Sequence, residues 1–235
     1  MEAMYDERQL DLDKADLPRT IAVEGPIGVG KTTLARNLAQ LFHYDTLLEQ
    51  PEANPFLARF YTNPKSVALP TQLFFLFQRA DLLQQLSEQR PQQRRQTNLF
   101  DPLWVADFLL DKDQLFAKVT LDDDELAIYQ QVYDKLTLDA PPPDLVIYLQ
   151  APARVLNERI RQRGIASEQN ISADYLEALN EAYTEFFHYY DQAPLLIVNA
   201  QDLDLASNRD HFYQLVEQVL ATKSGRHYYN PTPAL

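Results

Sequence analysis

A glycine-rich segment near the N-terminus contains the residue types, at the spacing, that bind a triphosphate. It reads GPIGVGKT from Gly25 to Thr32 and fits G-x4-G-K-[ST], between an apolar run and an amphipathic segment. Glycines let backbone N–H groups converge on phosphate oxygens, and the N-terminus of the following helix adds positive potential. Lys31 is expected to reach the β- and γ-phosphates, and the Thr32 hydroxyl to ligate Mg²⁺. The residues expected to bind ATP here are Gly25, Pro26, Ile27, Gly28, Val29, Gly30, Lys31, Thr32 and Thr33.

A carboxylate that could activate the phosphoryl acceptor follows the second predicted strand. Glu49 comes directly after YDTLL. A neutral sugar hydroxyl benefits from a carboxylate that takes its proton, whereas the charge of a monophosphate acceptor would be repelled by one. Glu49 therefore favours an alcohol acceptor, and a solvated loop glutamate without a role is the simpler alternative.

A helix that begins near Pro70 carries polar residues on an apolar face. Gln72, Phe75, Leu76 and Arg79 have the spacing i, i+3, i+4 and i+7, so they share one side of the helix. Buried polar groups need partners, and a planar heterocycle would supply them while Phe75 stacks on its face. The alternative is a core phenylalanine flanked by two side chains whose apolar stems pack on the surface.

Four arginines form a local basic cluster in a chain whose net charge is −13. The cluster spans ten residues, from Arg154 to Arg163, and Gly164 follows it. Arginines on a hinged segment can close over ATP and stabilise charge on the transferred phosphoryl group, although a solvated helix face is the alternative. The negative net charge of the whole chain disfavours binding to nucleic acids and to anionic membranes.

Predicted strands alternate with predicted helices along the chain, which favours an α/β fold. The predicted strands are 21–24, 46–48, 103–108, 144–150 and 194–200. The predicted helices are 31–42, one starting at 54–55, 70–89, 121–136, 151–163, 172–190 and 208–221. This order predicts a parallel five-stranded sheet with helices on both faces, and ligands at the carboxyl ends of its strands.

Length and composition favour one globular domain. The chain has 235 residues, of which 46% are hydrophobic, and we expect a single domain over 19–222 between an acidic tail, 1–18, and a C-terminal tail, 223–235. It contains no cysteine, and its N-terminus lacks the apolar core of a signal peptide. No apolar run is long enough to cross a bilayer, so we expect a cytoplasmic protein.

Four segments in order, GPIGVGKT, EQPEANPFLARFY, TQLFFLFQRADLL and RIRQRG followed by EQNIS, resemble the deoxynucleoside kinase family. The likeness covers roughly residues 19–200 and lies nearest the bacterial deoxyadenosine/deoxyguanosine kinases. It implies the P-loop kinase fold with an Arg-rich lid. It also implies ATP- and Mg²⁺-dependent phosphorylation of the 5′-hydroxyl of deoxyadenosine or deoxyguanosine, or of deoxycytidine, in nucleotide salvage. Family members are often homodimers, which pack helices corresponding to residues near 70–89 and 122–138.

The resemblance assigns roles to individual residues. The catalytic set that it implies is Glu49 as the base, with Lys31, Arg159 and Arg163. The resemblance also implies that Arg161 binds ATP together with the residues of the glycine-rich loop. It implies that Thr32 and Asp107 bind the magnesium ion. Tyr61 and Glu168 match the pair that holds the sugar 3′-hydroxyl. The residues that would contact the base are Gln72, Phe75, Arg79 and Asp113.

The sequence departs from the family at the motif D/E-R-S/T after the third strand. The corresponding residues are Asp107, Phe108 and Leu109, so the arginine is replaced, and Lys112 follows one helical turn later. In the lid, Ile165 stands where an arginine commonly follows the glycine. Two other functions therefore stay open, a nucleoside monophosphate kinase of the thymidylate type and a nucleotide-binding regulator of low activity.

Overall fold

The computed structural model describes residues 12, 15–93, 103–136 and 142–231, with the backbone alone for 86–93. The predicted acidic tail lies mostly outside the described residues, as do residues 232–235. Among the described residues, no helix is both long and apolar enough to span a bilayer.

A parallel sheet of six strands forms the centre of the described chain. The strands are β1 Thr20–Glu24, β2 Asp45–Leu47, β3 Trp104–Ala106, β4 Leu145–Gln150, β5 Leu195–Asn199 and β6 Arg226–Tyr229. Their order across the sheet is β2-β3-β1-β4-β5-β6. The prediction of a parallel sheet is confirmed, and the count of five strands is wrong. The sixth strand lies in the segment predicted as a tail, because an exposed edge strand with arginine and histidine lacks the apolar pattern of the buried ones.

Eight α-helices connect and cover these strands in the described part of the chain. They are α1 Lys31–Phe42, α2 Leu57–Thr62, α3 Ala68–Gln93, α4 Lys112–Thr120, α5 Asp123–Leu136, α6 Ala153–Arg163, α7 Ala173–Tyr189 and α8 Arg209–Ala221. Short 3₁₀ turns occur at Pro51–Ala53, Pro64–Ser66 and Ala166–Asn170.

The start of α2 and the end of α3 are two of the helix boundaries that differ from the sequence prediction. The Asn54 side chain accepts a hydrogen bond from the Phe56 N–H at 3.0 Å, but regular helix α2 begins only at Leu57. Helix α3 was predicted to end before Pro91 and instead runs through it to Gln93. Pro91 has no backbone N–H, so it cannot donate the usual hydrogen bond to the preceding turn of the helix.

Helices pack on both faces of the sheet, as predicted. One core joins β4 residues such as Ile147 to α1, α6 and α8. The neighbouring strand residues, including Tyr148, face the other way and pack against α4 and α7. This alternation along β4 is the period of a strand. The parallel pairing of β1, β3 and β2 places the loops that follow these strands side by side at one end of the sheet.

Candidate active site

The glycine-rich loop between β1 and α1 has a backbone that glycine permits. Gly25 adopts a φ of 145°, and a Cβ there would lie 2.4 Å from the carbonyl oxygen of Leu149. The loop closes around its lysine, since the Lys31 Nζ donates to the carbonyl oxygens of Gly25 and Pro26 at 2.8 and 3.2 Å. This is a strand–loop–helix arrangement with a cation inside the loop, as the motif predicts.

The ammonium of Lys31 is buried beside several other charges. Burial and the charge of Lys112 lower its pKa to about 8, and the carboxylates of Glu24, Glu49 and Asp107 act in the opposite direction. A triphosphate bound in the loop would add negative charge next to this group and favour its protonated form.

Thr32 and Asp107 come together at the start of α1. The Thr32 hydroxyl donates to one Asp107 carboxylate oxygen at 2.5 Å, and the other oxygen accepts the Glu49 backbone N–H at 2.9 Å. In the described residues, no group of three or more acidic or histidine side chains forms a metal site by itself. One hydroxyl and one carboxylate nevertheless fit Mg²⁺, because this ion takes its remaining ligands from phosphates and water.

Glu49 is an ion-paired residue rather than a solvated loop glutamate. Its side chain is 11% exposed, and its Oε1 accepts hydrogen bonds from Arg79, one of them from Nε at 2.6 Å. The Lys112 ammonium lies 3.2 Å from Oε2. Burial alone would raise the pKa of this carboxyl, but Arg79, Lys112 and Lys31 outweigh it and lower the pKa to about 2. Glu49 is therefore ionised at neutral pH.

The polar residues of the α3 face contact partners on α4. Arg79 donates to Asp113, and the Gln72 amide donates to the Thr120 hydroxyl at 3.1 Å. The Arg79 guanidinium also lies 5.3 Å from the centre of the Phe75 ring. Gln72, Phe75 and Arg79 line one cleft, and Asp113 lies behind it as a partner of Arg79.

Asp113 is fully buried and retains an unpaired oxygen. No described residue hydrogen-bonds its Oδ2. Burial raises the pKa of this carboxyl to about 6, and the charge of Glu49 adds to the effect against the opposing charge of Arg79.

The expected sugar-binding pair lies at the other side of the same cleft. Arg163, at the end of α6, donates to Glu168, which is 8% exposed. Burial and the nearby charge of Glu168 raise the pKa of Tyr61. The cleft has a volume of about 120 Å³. The predicted residues that line it are Ile27, Gly28, Lys31, Thr32, Glu49, Tyr61, Gln72, Phe75, Arg79, Asp107, Arg163 and Glu168.

The arginines of the α6 cluster occupy different surroundings. The Arg159 guanidinium donates to the carbonyl oxygens of Val29, Ala200, Gln201 and Leu203, at 2.8 to 3.2 Å. It lines a second cleft of about 610 Å³ together with Gly28–Thr33 and Arg163. Arg161 is exposed and lines neither cleft.

Sequence reasoning missed a buried carboxylate at the end of β1. Glu24 is fully buried and accepts hydrogen bonds from the N–H groups of Gly25 and Leu109 and from the Tyr183 hydroxyl, each at 2.8 to 2.9 Å. Its other neighbour is Lys112, at 3.7 Å. The available signal was a glutamate that ends an otherwise apolar strand directly before the glycine-rich loop.

The sheet order, the loop around Lys31 and the cleft with its carboxylate define a P-loop phosphotransferase. Residues 21–223 match the sequence profile of the family Deoxynucleoside kinase, and the chain belongs to this family. It is therefore a deoxynucleoside kinase.

Individual relatives cover most of the chain. A deoxyguanosine kinase of Bacillus subtilis (strain 168) is 34% identical over 203 residues, which are 85% of this chain and 95% of the relative. A deoxyadenosine/deoxycytidine kinase of the same organism is 27% identical over 209 residues, 85% of this chain and 90% of the relative. A structure of deoxyadenosine kinase from M. mycoides, with products dCMP and a flexible dCDP bound, has a TM-score of 0.72 and 26% identity and covers 86% of this chain and 99% of its own.

Proposed function

We propose that this kinase transfers the γ-phosphoryl group of ATP to the 5′-hydroxyl of deoxynucleosides in nucleotide salvage. Purine deoxynucleosides are the preferred acceptors, and deoxycytidine is the next candidate. The position of Glu49 carries the proposal, because its carboxylate lies in a cleft between the phosphate-loop lysine and the base-reading residues. The relatives named for deoxyguanosine and for deoxyadenosine/deoxycytidine support the choice of base.

In the proposed reaction, Glu49 accepts the proton of the 5′-hydroxyl. The 5′-oxygen then bonds to the γ-phosphorus, and the bond between that phosphorus and the β–γ bridging oxygen breaks, so that ADP leaves with the electron pair. Lys31 and Arg163 stabilise charge on the transferring group, since both line the cleft. Tyr61 and Glu168 hold the 3′-hydroxyl.

The base end of the acceptor is recognised by Gln72, Arg79 and Asp113. Asp113 pairs with the buried guanidinium of Arg79, which lines the cleft beside Gln72, and the two cleft-lining side chains suit a base edge that carries both donors and acceptors. Phe75 offers its ring face to the base.

Thr32 and Asp107 would hold the Mg²⁺ that accompanies ATP, because their oxygens are already adjacent. When bound, the ion neutralises charge on the β- and γ-phosphates. Asp107 also fixes the backbone of Glu49, so the same carboxylate links the metal side of the site to the proposed base.

An acceptor panel tests this function. Transfer of labelled γ-phosphate from ATP·Mg should be measured with deoxyadenosine, deoxyguanosine, deoxycytidine and thymidine, and with dGMP and dTMP as monophosphate acceptors. We expect the largest kcat/KM with a purine deoxynucleoside. A monophosphate that outcompetes every nucleoside would instead indicate the monophosphate-kinase alternative. A folded, ATP-binding protein with no transfer would indicate the regulator.

Two further features belong to the same proposal. Exposed apolar side chains on α3 and α5, Phe77 and Ile128, support a homodimer through these helices. Light scattering of the purified protein gives its mass directly, and a monomer at assay concentration would contradict the dimer. The cytoplasmic location expected from the sequence stays a prediction.

A further inference from the structure

We propose that Lys112 supplies the cation that the family motif normally supplies as an arginine, and that Glu24 is the positioning residue that holds it in the site. The inference deepens the proposed function and rests on it. Position 108, where the arginine is expected, is occupied by a phenylalanine that is 3% exposed. The positive charge is thus moved one helical turn along the chain, to the first residue of α4.

Lys112 is buried at the reacting end of the cleft. It is 4% exposed, and its Nζ lies 3.3 and 3.2 Å from the two oxygens of Glu49. It lines the same cleft as Lys31 and Arg163. A buried ammonium is costly unless it is paired with negative groups, so this position is stable only beside carboxylates.

The contacts of Lys112 distinguish it from the other cations that line this cleft in the described chain. Lys31 donates to two backbone carbonyls of its loop, Arg163 pairs with Glu168, and Arg79 is shared between Glu49 and Asp113. Among the described residues, the Lys112 ammonium pairs with the carboxylates of Glu49 and Glu24 and lies 5.3 Å from the centre of the Phe116 ring. When Glu49 takes the acceptor proton and loses its charge, the ammonium is free to interact with the developing charge on the phosphoryl group.

Glu24 has the contacts of a group that fixes its neighbours. Its two oxygens accept from the first N–H of the phosphate loop, from the Leu109 N–H and from the Tyr183 hydroxyl, so one carboxylate joins β1, the β3–α4 segment and α7. The Tyr183 ring stacks with Tyr148, which holds that hydroxyl in place. Glu24 itself is fully buried and does not line the cleft, so its effect on the reaction must pass through Lys112 and the loop.

The first experiment compares Lys112→Met with Lys118→Met, a control on an exposed residue of the same helix. With the best deoxynucleoside of the panel, we expect Lys112→Met to lower kcat about 100-fold, the loss typical of one removed charge-stabilising group. The dissociation constant of ATP should stay within about threefold, because the loop still binds the phosphates. Lys112→Arg should recover most of kcat, and Lys118→Met should match the wild type.

The second experiment tests Glu24 through a double-mutant cycle. Glu24→Gln keeps the shape of the side chain and should lower kcat about tenfold. If Glu24 acts through Lys112, the double variant Glu24→Gln/Lys112→Met loses no more than Lys112→Met alone. Losses that multiply would show that Glu24 acts independently of Lys112, and they would overturn that part of the proposal.

The outcomes separate this inference from the proposed function. A wild-type protein that phosphorylates no deoxynucleoside overturns both. An active wild type in which Lys112→Met keeps kcat within threefold overturns the role of Lys112 alone. If Lys112→Met does not fold, Lys112→Gln, which can still donate to Glu49, replaces it, and the same thresholds apply.

Discussion

At the scale of single residues, Asp113 gives the site a measurable pH dependence. Burial and the charge of Glu49 raise its pKa to about 6, whereas in the unfolded chain an aspartate titrates near 4. The folded protein therefore takes up a proton in this range. The resulting stabilisation is complete below about pH 4 and is lost as the pH rises through 6.

Urea unfolding at pH 5.5 and 7.5 measures this contribution. The folded and unfolded pKa values of Asp113 predict that its titration lowers the free energy of unfolding by about 1 kcal/mol when the pH rises from 5.5 to 7.5. Asp113→Asn removes the titrating group, so the variant should lack this part of the pH dependence. Equal pH dependence in both proteins would contradict the raised pKa.

The residue types of the site could be predicted from the sequence, but several of their contacts could not. Arg79 and Asp113 were predicted together as base-contacting residues and Glu49 separately as the base, and the structure shows that Arg79 contacts both carboxylates. The pairing of Lys112 with Glu24 joins residues that are 88 positions apart in the sequence. A contact between residues so far apart in the sequence produces no periodic pattern, because periodicity reflects only residues that are close along the chain.

At the scale of elements, Arg159 connects α6 to the phosphate loop and to the segment after β5. The sequence predicted a catalytic role, but the guanidinium donates to the Val29 carbonyl and to the carbonyls of Ala200, Gln201 and Leu203. We therefore expect Arg159→Met to raise the KM for ATP about tenfold. One charge-assisted hydrogen bond contributes about 1–2 kcal/mol, and this free energy corresponds to roughly a tenfold change in affinity. The value of kcat should change less than threefold.

Steady-state kinetics with varied ATP checks this prediction against Arg154→Met, a control on an exposed arginine of the same helix. The control should behave as the wild type. A fall of 100-fold or more in kcat for Arg159→Met, with the KM for ATP unchanged, would instead support the catalytic role predicted from the sequence.

The elements that the sequence predicted are those with a clear apolar period. Five strands and seven helices were expected and are present, with boundaries that differ mostly by one or two residues. Helix α4 was missed because its first turn contains two buried charged residues, Lys112 and Asp113, which break the apolar pattern. Their burial is explained by ion pairs with Glu49, Glu24 and Arg79, which are distant in the sequence and leave no apolar period.

At the scale of the whole molecule, β6 completes the sheet at the edge opposite the site. It pairs with β5 through residues 226–229, and Arg226 donates to the carbonyl oxygens of His188 and Tyr190. Deletion of residues 225–235 should lower the free energy of unfolding by about 3 kcal/mol, on the order of 1 kcal/mol for each of several lost hydrogen bonds. The kcat at 20 °C should be retained, because Glu49 follows β2 at the other edge.

Deletion of residues 232–235 alone is the matched control for this truncation. Chemical unfolding of both proteins beside the full chain gives the comparison. Equal stability of the two truncated proteins would contradict a structural role for β6.

The central claim is that one carboxylate deprotonates a neutral sugar hydroxyl, and the rate of a single turnover in Glu49→Gln tests it most directly. With ATP·Mg and the best deoxynucleoside of the panel, we predict a loss of about 10³-fold relative to the wild type, as for removal of a general base. Binding of ATP should change less than threefold, and the exposed control Glu52→Gln should be unaffected. A Glu49→Gln variant that phosphorylates the nucleoside within tenfold of the wild-type rate would contradict the account.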